Sequence, residues 1–139
     1  MKEDKFTHIT YDTTMAVAKA LLSVNSDMVF TYVSGAHTDS SEKGRLMWAR
    51  AKGKTENDLA KLGFKGEYNF RPGAMQPFPG QKNWKSIYKL VVKLIKAVAP
   101  KNIITMHELG LAMINTVTRG YSKNILEIKD IKELAKEPE

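Results

Sequence analysis

The chain of 139 residues is 42% hydrophobic and 27% charged, the balance of one globular domain rather than of a fibre or a disordered tail. Cysteine is absent, which excludes a disulfide framework and thiolate metal sites and points to a reducing compartment, so the expected location is cytoplasmic. The formal net charge of +7 favours anionic partners without choosing among them, no apolar run approaches the length of a membrane span, and Met1-Lys2-Glu3-Asp4-Lys5 leads into no signal-peptide core.

From Thr10 to Val24 the apolar residues Met15, Ala18, Leu21 and Leu22 recur at helical spacing, with Thr10 or Asp12 able to cap the start and Asn25 near the end. Met28 to Val33 is a short apolar run rich in β-branched and aromatic residues, the pattern of a strand in a parallel sheet buried on both faces. His37 to Gly44 is polar and reads as a loop, and Leu46 to Leu62 forms a second helix closed by Gly63. Glu67 to Phe70 is a second strand, ended by Arg71-Pro72-Gly73, and the Pro/Gly-rich stretch to Gly80 is expected to be an irregular loop.

Asn83 can cap a third helix to Ala99, with an apolar stripe of Ile87, Val91, Leu94 and Val98 and the lysines Lys85, Lys89, Lys93 and Lys96 on its other face. A short strand near Ile103-Ile104 precedes Thr105 and Glu108, whose capping-box spacing opens a helix ending near Gly120. Ile125 to Ile128 reads as a last strand, and Asp130 and Glu133 repeat the capping-box spacing at the start of a terminal helix. Alternating strands and helices define an α/β fold with a mostly parallel sheet in one domain, 1–139.

Ligands of open parallel sheets bind beyond the carboxyl ends of the strands, where Ser34 falls. The following helix sets Trp48 and Lys52 four residues apart and therefore on one face. Taken singly, Ser34 reads as a turn residue, Trp48 as a packing anchor and Lys52 as a solvated cation.

Together, Tyr32-Val33-Ser34-Gly35-Ala36, Met47-Trp48-Ala49-Arg50-Ala51-Lys52-Gly53-Lys54-Thr55-Glu56 and Tyr68-Asn69-Phe70-Arg71-Pro72-Gly73-Ala74-Met75 resemble, in order, the atypical and extended short-chain dehydrogenase/reductases, including nucleotide-sugar epimerase-like proteins. The resemblance runs from about Thr10 to Ile128. It implies a partial Rossmann-like domain that binds NAD or NADP and acts as an oxidoreductase or epimerase on a small-molecule substrate. Ser34 would bond the substrate oxygen, Lys52 the nicotinamide ribose, and Arg71, Pro72 and Gly73 would lie beside the nicotinamide.

Two departures qualify that expectation. The family's acid/base tyrosine four residues before the lysine is replaced by Trp48, whose indole N–H donates a hydrogen bond but exchanges no proton near neutral pH. A water, Tyr32 or His37 would have to act instead, or the site binds without catalysing. The sequence also lacks the Gly-x-x-Gly-x-x-Gly that follows an initial strand and brings backbone N–H groups against the pyrophosphate, as if the N-terminal dinucleotide-binding half were missing. By itself such a fragment is expected to be inactive.

The strand from Met28 to Val33 would then present an unpaired apolar edge, for which a homo-oligomer is the expected cover. No metal site is expected, because His8, His37 and His107 share no ligand spacing. The rival functions are a non-catalytic dinucleotide-sensing or protein-binding module, motivated by Trp48, and a basic module that rests its lysine stripe on nucleic acid or anionic lipid. Nucleic acid is disfavoured by the absence of aromatics among the basic residues, and no membrane span is expected.

Overall fold

A computed structural model describes residues 2–76, 78, 92–95, 97 and 99–136. The chain opens with helix α1 (Glu3–Thr7), passes without a break through a π-helical turn at His8–Asp12, and continues as α2 (Thr13–Val24). Thr10 and Asp12 therefore lie inside a helix and do not cap one, because Asp12 itself has helical dihedrals and the preceding residues extend the turns. Strand β1 (Val29–Val33) follows, then α3 (Met47–Leu59), β2 (Gly66–Phe70) and a short β3 (Ala74–Gln76).

After a 3-10 turn at Pro100–Asn102 come β4 (Ile103–Thr105), helix α4 (Met106–Arg119), β5 (Ile125–Leu126) and α5 (Ile128–Leu134). Of the lysine-striped helix expected over Asn83 to Ala99, residues 92–95 and 97 are helical and the remainder lies outside the described residues, apart from Ala99.

The fold is α/β. Strands run in the order β1-β2-β5, all parallel, with Val29 opposite Gly66 and Val33 opposite Phe70, and Asn69 opposite Ile125. The alternation along β1 and β2 sorts side chains between two helical layers. Phe30 and Tyr32 join Met15, Ala18 and Leu59 beneath α2 and α3, while Phe70 and Leu126 join Leu109, Ala112, Ile131 and Leu134 beneath α4 and α5. Phe70, Leu126 and Ile131 are fully buried, and each contributes roughly 1.5–3 kcal/mol by leaving water.

β1 is less buried than its composition suggests. Among the described residues β2 is its only strand neighbour, and Val33 at its end is exposed, so the two-sided apolar pattern meets an open edge. The Pro/Gly-rich segment also differs from expectation: Ala74–Gln76 pairs in parallel with Ile103–Thr105 as a second, two-stranded sheet, because backbone pairing sets in as soon as the chain leaves Gly73.

Capping chemistry was legible at one helix and displaced at the other. Thr105 accepts from Glu108 N–H at 3.0 Å while Glu108 accepts from Thr105 N–H at 2.6 Å, and α4 ends at Gly120 with φ of 72°. The terminal helix starts one turn earlier than the Asp130/Glu133 spacing implies. Asp130 serves as its third residue, accepting from Glu127 N–H at 3.0 Å, which shortens the strand before it to Ile125–Leu126.

Candidate functional site

The carboxyl ends of β1 and β2 turn out side by side, joined by backbone bonds from Ser34 N–H to Phe70 O (2.7 Å) and from Ala36 N–H to Pro72 O (3.0 Å). Three of the residues singled out in the sequence meet here. A Cβ placed on Gly35 would lie 3.7 Å from the Trp48 ring and 4.0 Å from the Lys52 side chain. Trp48 and Lys52 thus flank the Ser34-Gly35 turn from successive turns of α3.

α3 reaches this close because its inward face is small: Ala49, Ala51 and Gly53 are buried. A Cβ on Gly53 would fall 1.8 Å from Asp39 O, so only glycine allows the loop after β1 to lie on the helix. That loop is fixed by Asp39, whose carboxylate accepts from Ser41 N–H (3.0 Å), Ser41 Oγ–H (2.6 Å) and Gly44 N–H (2.6 Å). The same bonds hold the Asp39 carboxyl below its ordinary pKa, the Ser41 hydroxyl first.

Ser34 is buried. Thr38 Oγ1 donates to Gly35 O at 2.7 Å, so the Ser34 hydroxyl is the donor in its 2.9 Å bond to Thr38. Its proton is committed to the loop, and a substrate oxygen could claim it only by replacing Thr38.

Lys52 donates from Nζ to Val33 O at 3.2 Å, capping the last carbonyl of the edge strand, and rides 5.1 Å from the centre of the Tyr32 ring. Burial lowers its pKa, partly opposed by the Glu56 charge. The Tyr32 hydroxyl is buried beside Thr55, whose own hydroxyl gives its proton to Ala51 O (2.8 Å), and burial pushes the phenol pKa up, partly opposed by Thr55. Tyr32 therefore stays protonated at neutral pH and is a poor acid. His37 sits in the left-handed region with φ of 65° and faces the cleft described below.

Arg71 binds Glu56 in a fork, Nε to Oε1 at 3.0 Å and Nη2 to Oε2 at 2.5 Å, and also donates from Nη2 to Ser40 Oγ at 2.7 Å. Glu127 lies 3.6 Å from its other nitrogen. The guanidinium therefore bolts β2 to α3 and to the loop after β1, and its pKa is raised, mainly by Glu56. Pro72 contributes its carbonyl to Ala36, and Gly73 packs against Ile128 so tightly that a Cβ would come within 2.6 Å of that side chain.

Beyond these strand ends lies an open cleft of about 650 Å³, walled mainly by Ala36, Gly73, Ala74, Ile95, Ala99 and Ile128, with His37, Asn102, Glu127 and Lys129 as its polar side chains. A second cleft of about 550 Å³ shares Asn102, Ile128 and Lys129 with it.

Two features were read in part or missed. Glu56 was placed on the Trp48 and Lys52 stripe of α3, but its pairing with Arg71 was not foreseen. Glu67 and Asn69 project from β2 into the α3 side of the sheet, where Asn69 Nδ2 donates to Glu67 Oε2 at 3.0 Å and the other oxygen of each has no partner. Their alternation with Tyr68 and Phe70 was the available signal. Burial raises the Glu67 pKa to about 7.

Among the described residues no cluster of His, Asp and Glu could hold a metal ion, and no helix is long and apolar enough to cross a membrane. The chain matches no known protein family and none of the curated proteins.

Proposed function

We propose that this chain carries the catalytic-side half of a short-chain dehydrogenase/reductase-type scaffold, related to the NAD(P)-dependent nucleotide-sugar epimerases and oxidoreductases, with Lys52 as its ribose-binding cation. The supporting observation is the convergence of Ser34-Gly35, Trp48 and Lys52 at the carboxyl end of β1. An ammonium that gives one N–H to Val33 O keeps two for the vicinal hydroxyls of a ribose. These residues fit that end of a dinucleotide and offer nothing to its pyrophosphate.

A bound dinucleotide would supply hydride exchange, and the chain's own contribution would be to hold the ribose and line the substrate cleft. The second reading, binding without catalysis, is favoured by Trp48: the indole stands where an exchangeable hydroxyl is needed, and Tyr32 is buried with a raised pKa. The edge of β1, without a second strand neighbour among the described residues, supports a homo-oligomer, and the cysteine-free sequence supports a cytoplasmic location.

The deciding experiment titrates NADH and NADPH into the folded chain, following energy transfer from tryptophan, with light scattering on the same samples. Saturable binding that weakens at least about tenfold in Lys52→Ala is expected, that is, a loss of roughly 1.4 kcal/mol or more. Binding indifferent to Lys52, or none by a folded chain, would sink the cofactor reading, and a monomer at every concentration would sink the oligomer.

A further inference from the structure

The two clefts beyond the strand ends differ in chemistry. The larger is walled mainly by alanine and isoleucine side chains, with His37, Asn102, Glu127 and Lys129 at its polar positions, while the adjoining one gathers Lys101, Lys129, Lys132 and Lys136 against Glu133 as the one acid among its described residues. Lys101 comes from the 3-10 turn before β4, and the other three from α5 and the residues after it, so lysines of two elements line one space. Among the described residues Lys101, Lys129 and Lys136 form no ion pair. The nearby acids have other partners: Asp130 is bonded by Lys123 (2.7 Å) and Tyr121 (3.0 Å), and Glu127 faces Arg71.

Like charges gathered on a concave wall repel one another, and the field they focus there favours an anion. A neighbouring apolar cleft of about 650 Å³ is of the size that takes a small organic molecule. Asn102, Ile128 and Lys129 belong to both walls, so one ligand can occupy the two.

We infer that the chain binds an amphipathic organic anion, its apolar body against Ala36, Ala74 and Ile128 and its phosphate or carboxylate head between Lys101 and Lys129. The inference rests on the proposed function only in taking the cleft at the strand ends as the substrate cleft.

Hexyl phosphate, hexanoate, hexanol and inorganic phosphate are titrated calorimetrically into the folded chain, at two salt concentrations, beside NADH. One hexyl phosphate or hexanoate per chain is expected, at least about tenfold tighter than hexanol or inorganic phosphate and weaker at high salt. The exposed pair Lys101→Glu/Lys129→Glu should abolish this binding with the urea midpoint unchanged, and Ala74→Phe, filling the apolar wall, should weaken it.

Several results would overturn the inference: affinity for inorganic phosphate equal to that for hexyl phosphate, indifference to the lysine pair, or capture by phosphatidylglycerol vesicles without binding of either hexyl compound. Hexyl phosphate binding without NADH binding removes the dinucleotide reading and leaves this one, while the reverse removes this one alone.

Discussion

Arg71→Ala is the substitution from which the fold should suffer most clearly by electrostatics. Glu56 is 2% exposed and Arg71 holds it with two charged bonds, at 3.0 and 2.5 Å, so truncating the arginine leaves a carboxylate out of water with only the Lys52 ammonium nearby and not bonded to it. Removing one partner of such a pair costs about 3–5 kcal/mol, a large share of the 5–15 kcal/mol by which a domain is stable. Glu56→Gln, which keeps the shape and one acceptor, should cost less, about 1–3 kcal/mol. Glu56→Leu/Arg71→Met, which removes both charges, should return most of the loss. Urea unfolding followed by circular dichroism reads all three. By contrast the exposed partner Lys61 of Asp58 should cost about 0–1 kcal/mol when truncated. If Arg71→Ala loses less than about 1 kcal/mol, the fork is not the bolt described here.

Glu67 gives a pH dependence of definite sign. Its pKa is raised by burial from 4.5 to about 7, so the folded state holds a proton that the unfolded state releases, and the stabilising contribution is complete below about 4.5 and lost as pH rises towards 7. Glu67→Gln should therefore be more stable than the parent at pH 8, by up to about 3 kcal/mol, and equal to it near pH 4; a constant difference across that range would refute the assignment. Gly53→Ala forces a Cβ into Asp39 O and should lower stability by about 1–3 kcal/mol or more while releasing the loop after β1, visible as a fall in melting temperature; an unchanged melting temperature would mean that the loop lies elsewhere. Thr105→Ala removes one arm of the α4 capping box and should cost about 1 kcal/mol in urea unfolding, with no loss expected if the helix start is held by tertiary contacts alone.

What could be read from the sequence was the part governed by short-range rules. The β1 run, the α3 stripe and the Thr105/Glu108 box each carry their signal within a few residues, and each formed where expected. Long-range partners carry no such signal. Nothing near Arg71 announces Glu56, fifteen residues away, and nothing in Ala74-Met75-Gln76 announces that Ile103-Ile104-Thr105 will lie beside it. The terminal helix shows a local rule misapplied, since Glu127/Asp130 and Asp130/Glu133 have the same spacing and only the end of β5 decides between them. At the candidate site the spacing of Trp48 and Lys52 foretold their shared face, but not that Thr38 would take the Ser34 proton.

The edge of β1, open among the described residues, and the candidate site belong to the same strand, and symmetry relates them. Two copies joined through β1 about a two-fold axis would pair those strands antiparallel. The Lys52 end of one five-residue strand would then lie beside the Val29 end of its partner, with the two sites about 17 Å apart. Such a dimer covers the apolar edge without bringing any backbone donor to the place where a pyrophosphate would lie. Only a strand added parallel to β1 ends next to Lys52 and Trp48, and can continue there into a turn that faces the Lys52 ammonium. Association and dinucleotide affinity should therefore be separable: Val33→Lys, at the exposed end of the edge, should dissociate the dimer and leave the affinity for NADH where it was. A parallel change in both would show that the second copy supplies part of the site, and would require an asymmetric pairing of the two chains.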